Sequence, residues 1–355
     1  MTGAGASREF GVGADKFPLM GDWSRALLQT LHRHPNYAEF TGLEYGMSGE
    51  QFEIQLGRFL RQVEAFGLIE PLLETSLQFE GFTPAMHITS MAQWHKSTAH
   101  HLGEITELIR ESLYDQFAER RHDPRHALAA YSSLFDTLGI GAGTRWVYAT
   151  TNYDTIGEQV IRDAGFLPDW GQPPTVGNEG ERPLHIPGLL NGIGRYVPVL
   201  HLHGRVGWFR RDGRVYGADI TKYQRGFGVP VVMLPDPDKA YDHDDGIIAM
   251  WHQFEEALAR ANRVFVLGHS LNDRYLVRAL VQNVDPINRI AVTVLADELH
   301  LEQPDPSAAP VAEKISSALP GATIIPLRFG TDRDVGGQAI QDWLGWVTRH
   351  DTVGR

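Results

Sequence analysis

No cysteine occurs among the 355 residues. That excludes disulfides, thiolate nucleophiles and thiolate zinc sites, and it fits a reducing compartment such as the cytoplasm. Basic residues are in the minority, with 32 Lys and Arg against 44 Asp and Glu and a formal net charge of −12. This balance, with no basic patch, argues against a general nucleic-acid binder, which needs cations to release the counterions of phosphates. No apolar run approaches the ~20 residues that span a bilayer. The first residues do not read as a signal peptide, and no internal repeat or low-complexity tract is present. With 42% hydrophobic and 21% charged residues, the chain has the makings of one large α/β domain with an inserted module, or of two modest domains.

Two textures are present. From about Asp22 to Leu138 the pattern is helical. Ser48 and Gln51 stand at capping-box spacing before Phe52, Leu56, Phe59, Leu60 and Val63, and a second stripe runs Ile105, Ile109, Leu113, Phe117. From Arg145 short β-branched runs take over: Trp146–Tyr148, Val197–Leu200, Val231–Leu234, Val264–Leu267, Ile290–Leu295 and Thr323–Ile325. These read as buried parallel strands. Helical stretches lie between several of them, the clearest carrying Ile247, Trp251, Phe254 and Leu258. The expected fold is therefore α/β, a Rossmann-like doubly wound parallel sheet with an inserted helical module. Residues 1–21 and 139–335 would form the sheet domain, 22–138 the module and 336–355 a C-terminal helix or tail. The Gly- and Pro-rich stretch Gly165–Arg195 and the segment Gln303–Pro310 are expected to be loops.

Ligands of open α/β sheets bind beyond the carboxyl ends of the strands, and three predicted strands end in polar residues. They run into Thr150-Thr151-Asn152-Tyr153-Asp154, His201-Leu202-His203-Gly204 and Gly268-His269-Ser270-Leu271-Asn272-Asp273. Each has a bland alternative: a turn or cap for Asn152, a hydrogen-bonded core histidine for His203, the N-cap of the next helix for Asp154. At the N-terminus Gly3-Ala4-Gly5-Ala6-Ser7 has the make-up of a loop that lets backbone N–H groups approach a pyrophosphate.

In this order the motifs resemble the sirtuin-type family, with its GAG-x-S loop, T-x-N-x-D strand end and H-G pair. Here these are Gly3 to Ser7, Thr151 to Asp154 at one residue tighter spacing, and His203-Gly204. The chain also resembles the bacterial sirtuin-like NAD hydrolases of antiphage defence. Their T-N-Y-D, L-H-G, P-x-x-K and G-x-S-x-x-D elements match Thr151–Asp154, Leu202–Gly204, Pro235 with Lys239 (one residue looser), and Gly268, Ser270 and Asp273. The likeness runs from the start to about Gly330. It implies NAD as substrate, with Gly3, Ala4, Gly5 and Ser7 near the phosphates and Gly268 and Ser270 on the adenosine side. Thr151 and Asp273 complete the implied nucleotide-binding set, and Asn152, Asp154 and His203 would surround the nicotinamide ribose. Cleaving the nicotinamide bond passes through an oxocarbenium-like state. That needs an amide to position water or a ribose hydroxyl, a near-neutral base, and negative charge near the cation. The expected product pair is nicotinamide and ADP-ribose. The expected setting is a regulated cytoplasmic effector, held in check by homo-oligomerisation or by an operon-encoded partner that meets the helical module.

Two departures qualify the likeness. Without cysteine there is no four-cysteine ribbon to shape an acyl-lysine cleft, so protein deacylation ranks second. The glycine loop normally follows a strand, yet here it begins at Gly3: either the natural start lies upstream of Met1, which is the favoured expectation, or the phosphate cradle is crippled. Competing readings are a non-catalytic sensor of NAD or ADP-ribose, and an α/β-hydrolase built on Ser270 with Asp297 and His300. The latter lacks the second glycine of its elbow, Asn272 standing in that place. No metal is expected. His100 and Glu104 share a helix face with His95 and His101 nearby, but no second ligand pair completes a site, and His101 is read as the edge of the Ile105–Ile109 stripe.

Overall fold

Most of the predicted runs form the predicted elements in this computed structural model. It describes residues 1–3, 6–7, 20–33, 41–67, 69, 86–118, 124–141, 143–171, 182–183, 195–217, 228–234, 245–296, 303–328 and 337–351. The helices are α1 (Met20–Leu31), α2 (Gly49–Gly67), α3 (Met86–Ala118), α4 (Pro124–Thr137), α5 (Ile156–Asp163), α6 (Asp245–Arg260), α7 (Arg274–Asn283), α8 (Ala309–Ala318) and α9 (Gly337–Asp351). The strands are β1 (Tyr148–Thr150), β2 (Leu167–Asp169), β3 (Arg182–Pro183), β4 (Tyr196–His201), β5 (Gly204–Arg211), β6 (Arg214–Gly217), β7 (Val229–Val232), β8 (Val264–Val266), β9 (Ile290–Leu295) and β10 (Thr323–Leu327).

The chain divides into two compact units. One comprises Met1–Leu19, Phe117–Met233 and Ala240–Arg355, the other Met20–Gln116 with Leu234–Lys239. Helix α4 falls within the boundaries expected for the helical module but belongs to the first unit, because Ala127, Tyr131, Leu134 and Phe135 pack into its core. In the second unit the capping box forms as its spacing predicts: the Ser48 N–H donates to Gln51 Oε1 at 2.9 Å and the Gln51 N–H to Ser48 Oγ at 3.2 Å. Trp23 of α1 meets Phe52 of α2 edge-on at 5.5 Å.

The first unit is built on parallel pairing. β4 lies between β1 and β2, with Thr150 opposite His201 and Leu167 opposite Tyr196. β9 lies between β8 and β10. The two sets are joined by residues 1–3. Thr2 bridges in parallel to both Thr150 and Leu267. Its N–H donates to Ala149 O at 2.9 Å and its carbonyl accepts from Thr151, while the Gly3 N–H donates to Leu267 O and the Leu267 N–H to Met1 O. The order across the sheet is thus β2, β4, β1, residues 1–3, β8, β9, β10. The chain builds outward first through β1 and β4 and then, from the centre again, through β8, β9 and β10. That reversal is a topological switch point, the place where α/β sheets bind ligands.

Side-chain alternation along the strands makes two cores. Leu200, Val266, Ile290, Val292 and Val294 face one layer with Trp251, Phe254, Leu276 and Ile315 of α6, α7 and α8. Val197, Val199, Ala291 and Ile325 face the other with Tyr131, Ile156, Val160 and Trp343 of α4, α5 and α9. Helices on both faces of a parallel sheet make the doubly wound α/β architecture. Three expectations are corrected. Val231 lies in a strand, but β7 runs antiparallel to β5 in a separate sheet of order β3-β6-β5-β7. The stretch Gly165–Arg195 contains β2 and β3 rather than loop alone. The first strand starts two residues later than the run Trp146–Tyr148, because pairing with Thr2 and β4 covers only its far end.

At the amino ends of β1 and β8, the opposite end from the strand termini discussed next, a cavity of about 580 Å³ lies beside Met1, lined by Tyr131, Phe135, Trp146, Phe254 and Trp343 among others. The Met1 amine donates to Phe265 O at 2.7 Å. Burial pushes this amine down to about 5.

Candidate active site at the switch point

Four polar segments meet at the carboxyl edge of the sheet because the strand register delivers them there. Thr150 pairs with His201, so Asn152 and His203 each stand two residues beyond the same rung on neighbouring strands. The turn at His203 is held on both sides: the Leu202 N–H donates to Thr150 O at 2.9 Å and the Met233 N–H to His203 O at 2.8 Å. Gly204 makes that turn possible. Its φ is +81°, and a Cβ there would lie 2.1 Å from Val231 O.

Asn152 and Ser7 are buried, and the Asn152 amide Nδ2 donates to Gly3 O at 3.0 Å and to Ser7 Oγ at 2.8 Å. The Asn152 side chain therefore clamps both ends of the glycine loop, while Ala4 and Gly5 lie outside the described residues. Gly3 is also pressed against the opposite strand end, since an added Cβ would meet Gly268 O and His269 Cδ2, each at 2.7 Å. Thr151 is buried, its N–H donating to Thr2 O at 3.2 Å. The loop after β8 is tight. The Gly268 N–H donates to Thr293 Oγ1 at 3.1 Å, the Leu271 N–H donates to His269 Nδ1 at 2.8 Å, and Leu271 takes a left-handed φ of 53°. Such a backbone in a non-glycine residue is an outlier of the kind that collects at functional sites. Ser270, in the same loop, is exposed.

His203 Nε2 lies 2.9 Å from Asp273 Oδ2, with both side chains buried. The other Asp273 oxygen accepts from the Tyr275 and Leu276 N–H groups at 2.9 and 3.2 Å, which makes Asp273 the N-cap of α7. Asp273 thus joins the loop after β8 to the turn after β4. The Tyr153 hydroxyl donates to Met233 O, and its ring lies tilted 6.5 Å from that of His203. Asp154 is buried. Its Oδ1 accepts from the Ile156 N–H at 3.0 Å, as expected of a residue that starts the next helix, while Oδ2 has no hydrogen-bond partner among the described residues. Burial pushes the Asp154 carboxyl up from its ordinary value, against the pull of the nearby Ser7 hydroxyl, the Ile156 N–H and His201.

Beneath this edge lies a charge cluster that motif reading missed. Glu158 of α5 takes Arg205 in a two-pronged pair, Nε to Oε1 at 2.5 Å and Nη2 to Oε2 at 2.7 Å, and takes His201 Nε2 at 2.8 Å. The Arg205 guanidinium stacks 3.9 Å over Trp170. Burial alone would raise the Glu158 carboxyl, but the Arg205 charge, its hydrogen bonds and His201 outweigh it and hold the group at about 2.

The nucleophile elbow does not form at Ser270. Helix α7 begins at Arg274 rather than directly after the serine as an elbow requires. Asn272 is engaged with Lys314 Nζ at 2.6 Å. Asp297, His300, Pro235 and Lys239 lie outside the described residues. The candidate metal histidines separate as well. His95 is buried, stacked on Phe66 and bonded to Phe66 O, and His100 pairs loosely with Glu104 at 3.6 Å. His101 is exposed rather than at the edge of the buried stripe, its Nδ1 bonded to Ser97 O. No cluster of three metal-ligating side chains occurs among the described residues, and none of their helices is long and apolar enough to cross a membrane.

Strand order and site together define the class, a Rossmann-like α/β protein with a polar crevice at its switch point. No family model and no curated protein matches the sequence. Solved structures similar to it include a Sir2 homologue in complex with NAD, at 11% identity, TM-score 0.32 and coverage of 73% of this chain and 75% of that one. Another is a histidine-to-asparagine mutant of a Sir2 homologue with ADP-ribose, at 11% identity, TM-score 0.34 and coverage of 73% and 80%. A third is a Sir2 histidine-to-tyrosine mutant with a p53 peptide and NAD, at 11% identity, TM-score 0.32 and coverage of 99% and 92%. At such scores the functional reading rests on this chain's own residues.

Proposed function

We propose that the protein is an NAD glycohydrolase, releasing nicotinamide and ADP-ribose. The observation that carries this reading is the carboxylate-backed His203 beside Asn152 at the switch point, with the glycine loop tied down next to them. NAD would lie across the crevice with its pyrophosphate at the Gly3–Ser7 loop and its adenosine side at Gly268 and Ser270. The nicotinamide ribose would lie over Asn152 and His203. As the glycosidic bond breaks, its electron pair stays on the nicotinamide nitrogen. Water adds to the ribose carbon, and His203 takes the proton that water gives up. Asp154, buried beside Ser7, would hold the carboxamide and place negative charge near the developing cation.

Proton NMR of NAD incubated for hours with concentrated protein tests the reading, alongside Asn152→Ala and His203→Ala. Free nicotinamide from the unmutated chain alone is the expected result; turnover that survives both substitutions would sink the assignment. One observation favours a second reading. Both Asn152 amide hydrogens' partners are protein atoms, Gly3 O and Ser7 Oγ, which suits a module that binds NAD or ADP-ribose without cleaving it. Broadened NAD lines without nicotinamide would select that reading. A hydrolase of this kind needs restraint in a cytoplasm, and control by homo-oligomerisation or an operon-encoded partner in antiphage defence belongs to the same proposal.

A further inference from the structure

We infer that Asp273 is the positioning residue that makes His203 a base, an inference resting on the hydrolase reading above. The resemblance placed Asp273 among nucleotide-binding residues, yet both of its oxygens are committed to the protein: Oδ1 to two N–H groups of α7 and Oδ2 to His203 Nε2 at 2.9 Å. An ionised carboxylate only accepts, so the proton of a neutral His203 ring resides on Nε2 and the lone pair on Nδ1. Nδ1 is then the atom that takes the proton of the attacking water. The carboxylate also stabilises the imidazolium that results. The helix holds the carboxylate in turn. Its first-turn N–H groups fix the Asp273 rotamer and favour its charge.

Helix capping alone would also explain a buried aspartate at this position, and Asp273→Asn separates the two roles. Asparagine caps a helix as well as aspartate does. With its oxygen on the α7 N–H groups, its NH₂ would face His203 Nε2 and force the ring proton onto Nδ1, removing the base. The expected result for Asp273→Asn is a kcat lower by about a hundredfold or more, with NAD affinity and thermal midpoint unchanged. Asp273→Ala loses the cap too, and its midpoint falls. Nitrogen-15 histidine NMR should show the His203 proton on Nε2 in the unmutated chain and on Nδ1 in Asp273→Asn. The inference is overturned if Asp273→Asn keeps full turnover, if it loses NAD affinity with the tautomer unchanged, or if the unmutated ring carries its proton on Nδ1. Should the unmutated chain release no nicotinamide, the hydrolase reading fails, and the ring spectra alone still decide whether Asp273 sets the tautomer.

Discussion

Replacing Glu158 tests whether the buried charge cluster holds the site's foundation. The carboxylate is held at about 2, well below an ordinary glutamate, which corresponds to roughly 3 kcal/mol of stability at neutral pH. Because the folded-state value is depressed, that contribution is complete above about pH 4.5. It fades as pH falls toward 2, with about 2 kcal/mol gone by pH 3. Glu158→Ala would leave the Arg205 guanidinium buried over Trp170 without its counter-charge, costing about 3–5 kcal/mol. Glu158→Gln keeps the shape and removes the charge. In urea titrations of the sheet-bearing unit, the Gln variant should unfold at a midpoint lower by about 1 M at pH 7.5. The gap should narrow steadily between pH 4.5 and 3, since the unmutated protein then loses what the variant never had. A midpoint equal to that of the unmutated chain at pH 7.5, or a gap independent of pH over that window, would refute the argument.

Gly204→Ala should cost about 3 kcal/mol or more, combining left-handed backbone strain with a Cβ 2.1 Å from Val231 O; a thermal midpoint within 2 °C of the parent (roughly half of what the strain alone predicts) would contradict this. Gly3→Ala pushes against Gly268 O, so isothermal titration should show weakened NAD binding with the fold retained. The Met1 amine, near 8 when unfolded and about 5 when folded, should make stability rise between pH 5 and 8, by at most about 4 kcal/mol in total. Prefixing three or four β-branched residues to Met1 turns the amine into an amide and offers apolar side chains to the adjoining cavity. The pH rise should then vanish and the urea midpoint increase, and an unchanged pH slope would rule this account out.

The parallel sheet was legible because burial on both faces writes β-branched runs such as Ile290–Leu295 with no polar alternation, and α2 because Ser48 and Gln51 announce their own cap. β2 was not, because it is three residues long with Pro168 in its middle and a Gly- and Pro-rich segment follows. The β5–β6 hairpin did carry a signal. Asp212-Gly213 between Arg211 and Arg214 is a two-residue turn, with φ of 51° and 73°, and D-G between apolar runs marks a hairpin. The direction of β7 was not readable, since a Val-rich run has the same composition parallel or antiparallel. At the site, Asn152, Asp154 and His203 stood out as polar residues at strand ends. The partner of His203 did not, because Asp273 lies seventy residues on and its local pattern declares only a helix cap. Glu158 and Arg205 were invisible for a similar reason: a charged residue in an amphipathic helix reads as solvated until a strand end brings its counter-charge.

The same few residues complete the sheet and shape the crevice, and this ties stability to binding at one end of the site only. Residues 1–3 join the two halves of the sheet, Thr2 bonding Ala149 and Thr151 on one side and Met1 and Gly3 bonding Leu267 on the other, and Gly3 also gives its carbonyl to Asn152. A ligand that presses on the glycine loop therefore pulls on the backbone bonds between β1 and β8, so NAD should protect the amides of Thr2, Gly3, Thr151 and Leu267 from hydrogen exchange by mass action. The other end is anchored differently. His203 and Asp273 hang from β7 and the first turn of α7, and neither supplies the bonds that hold residues 1–3. Substitutions at Asn152 should accordingly lower both the thermal midpoint and NAD affinity, whereas Asp273→Asn should change turnover alone. That asymmetry follows from which backbone each side chain holds.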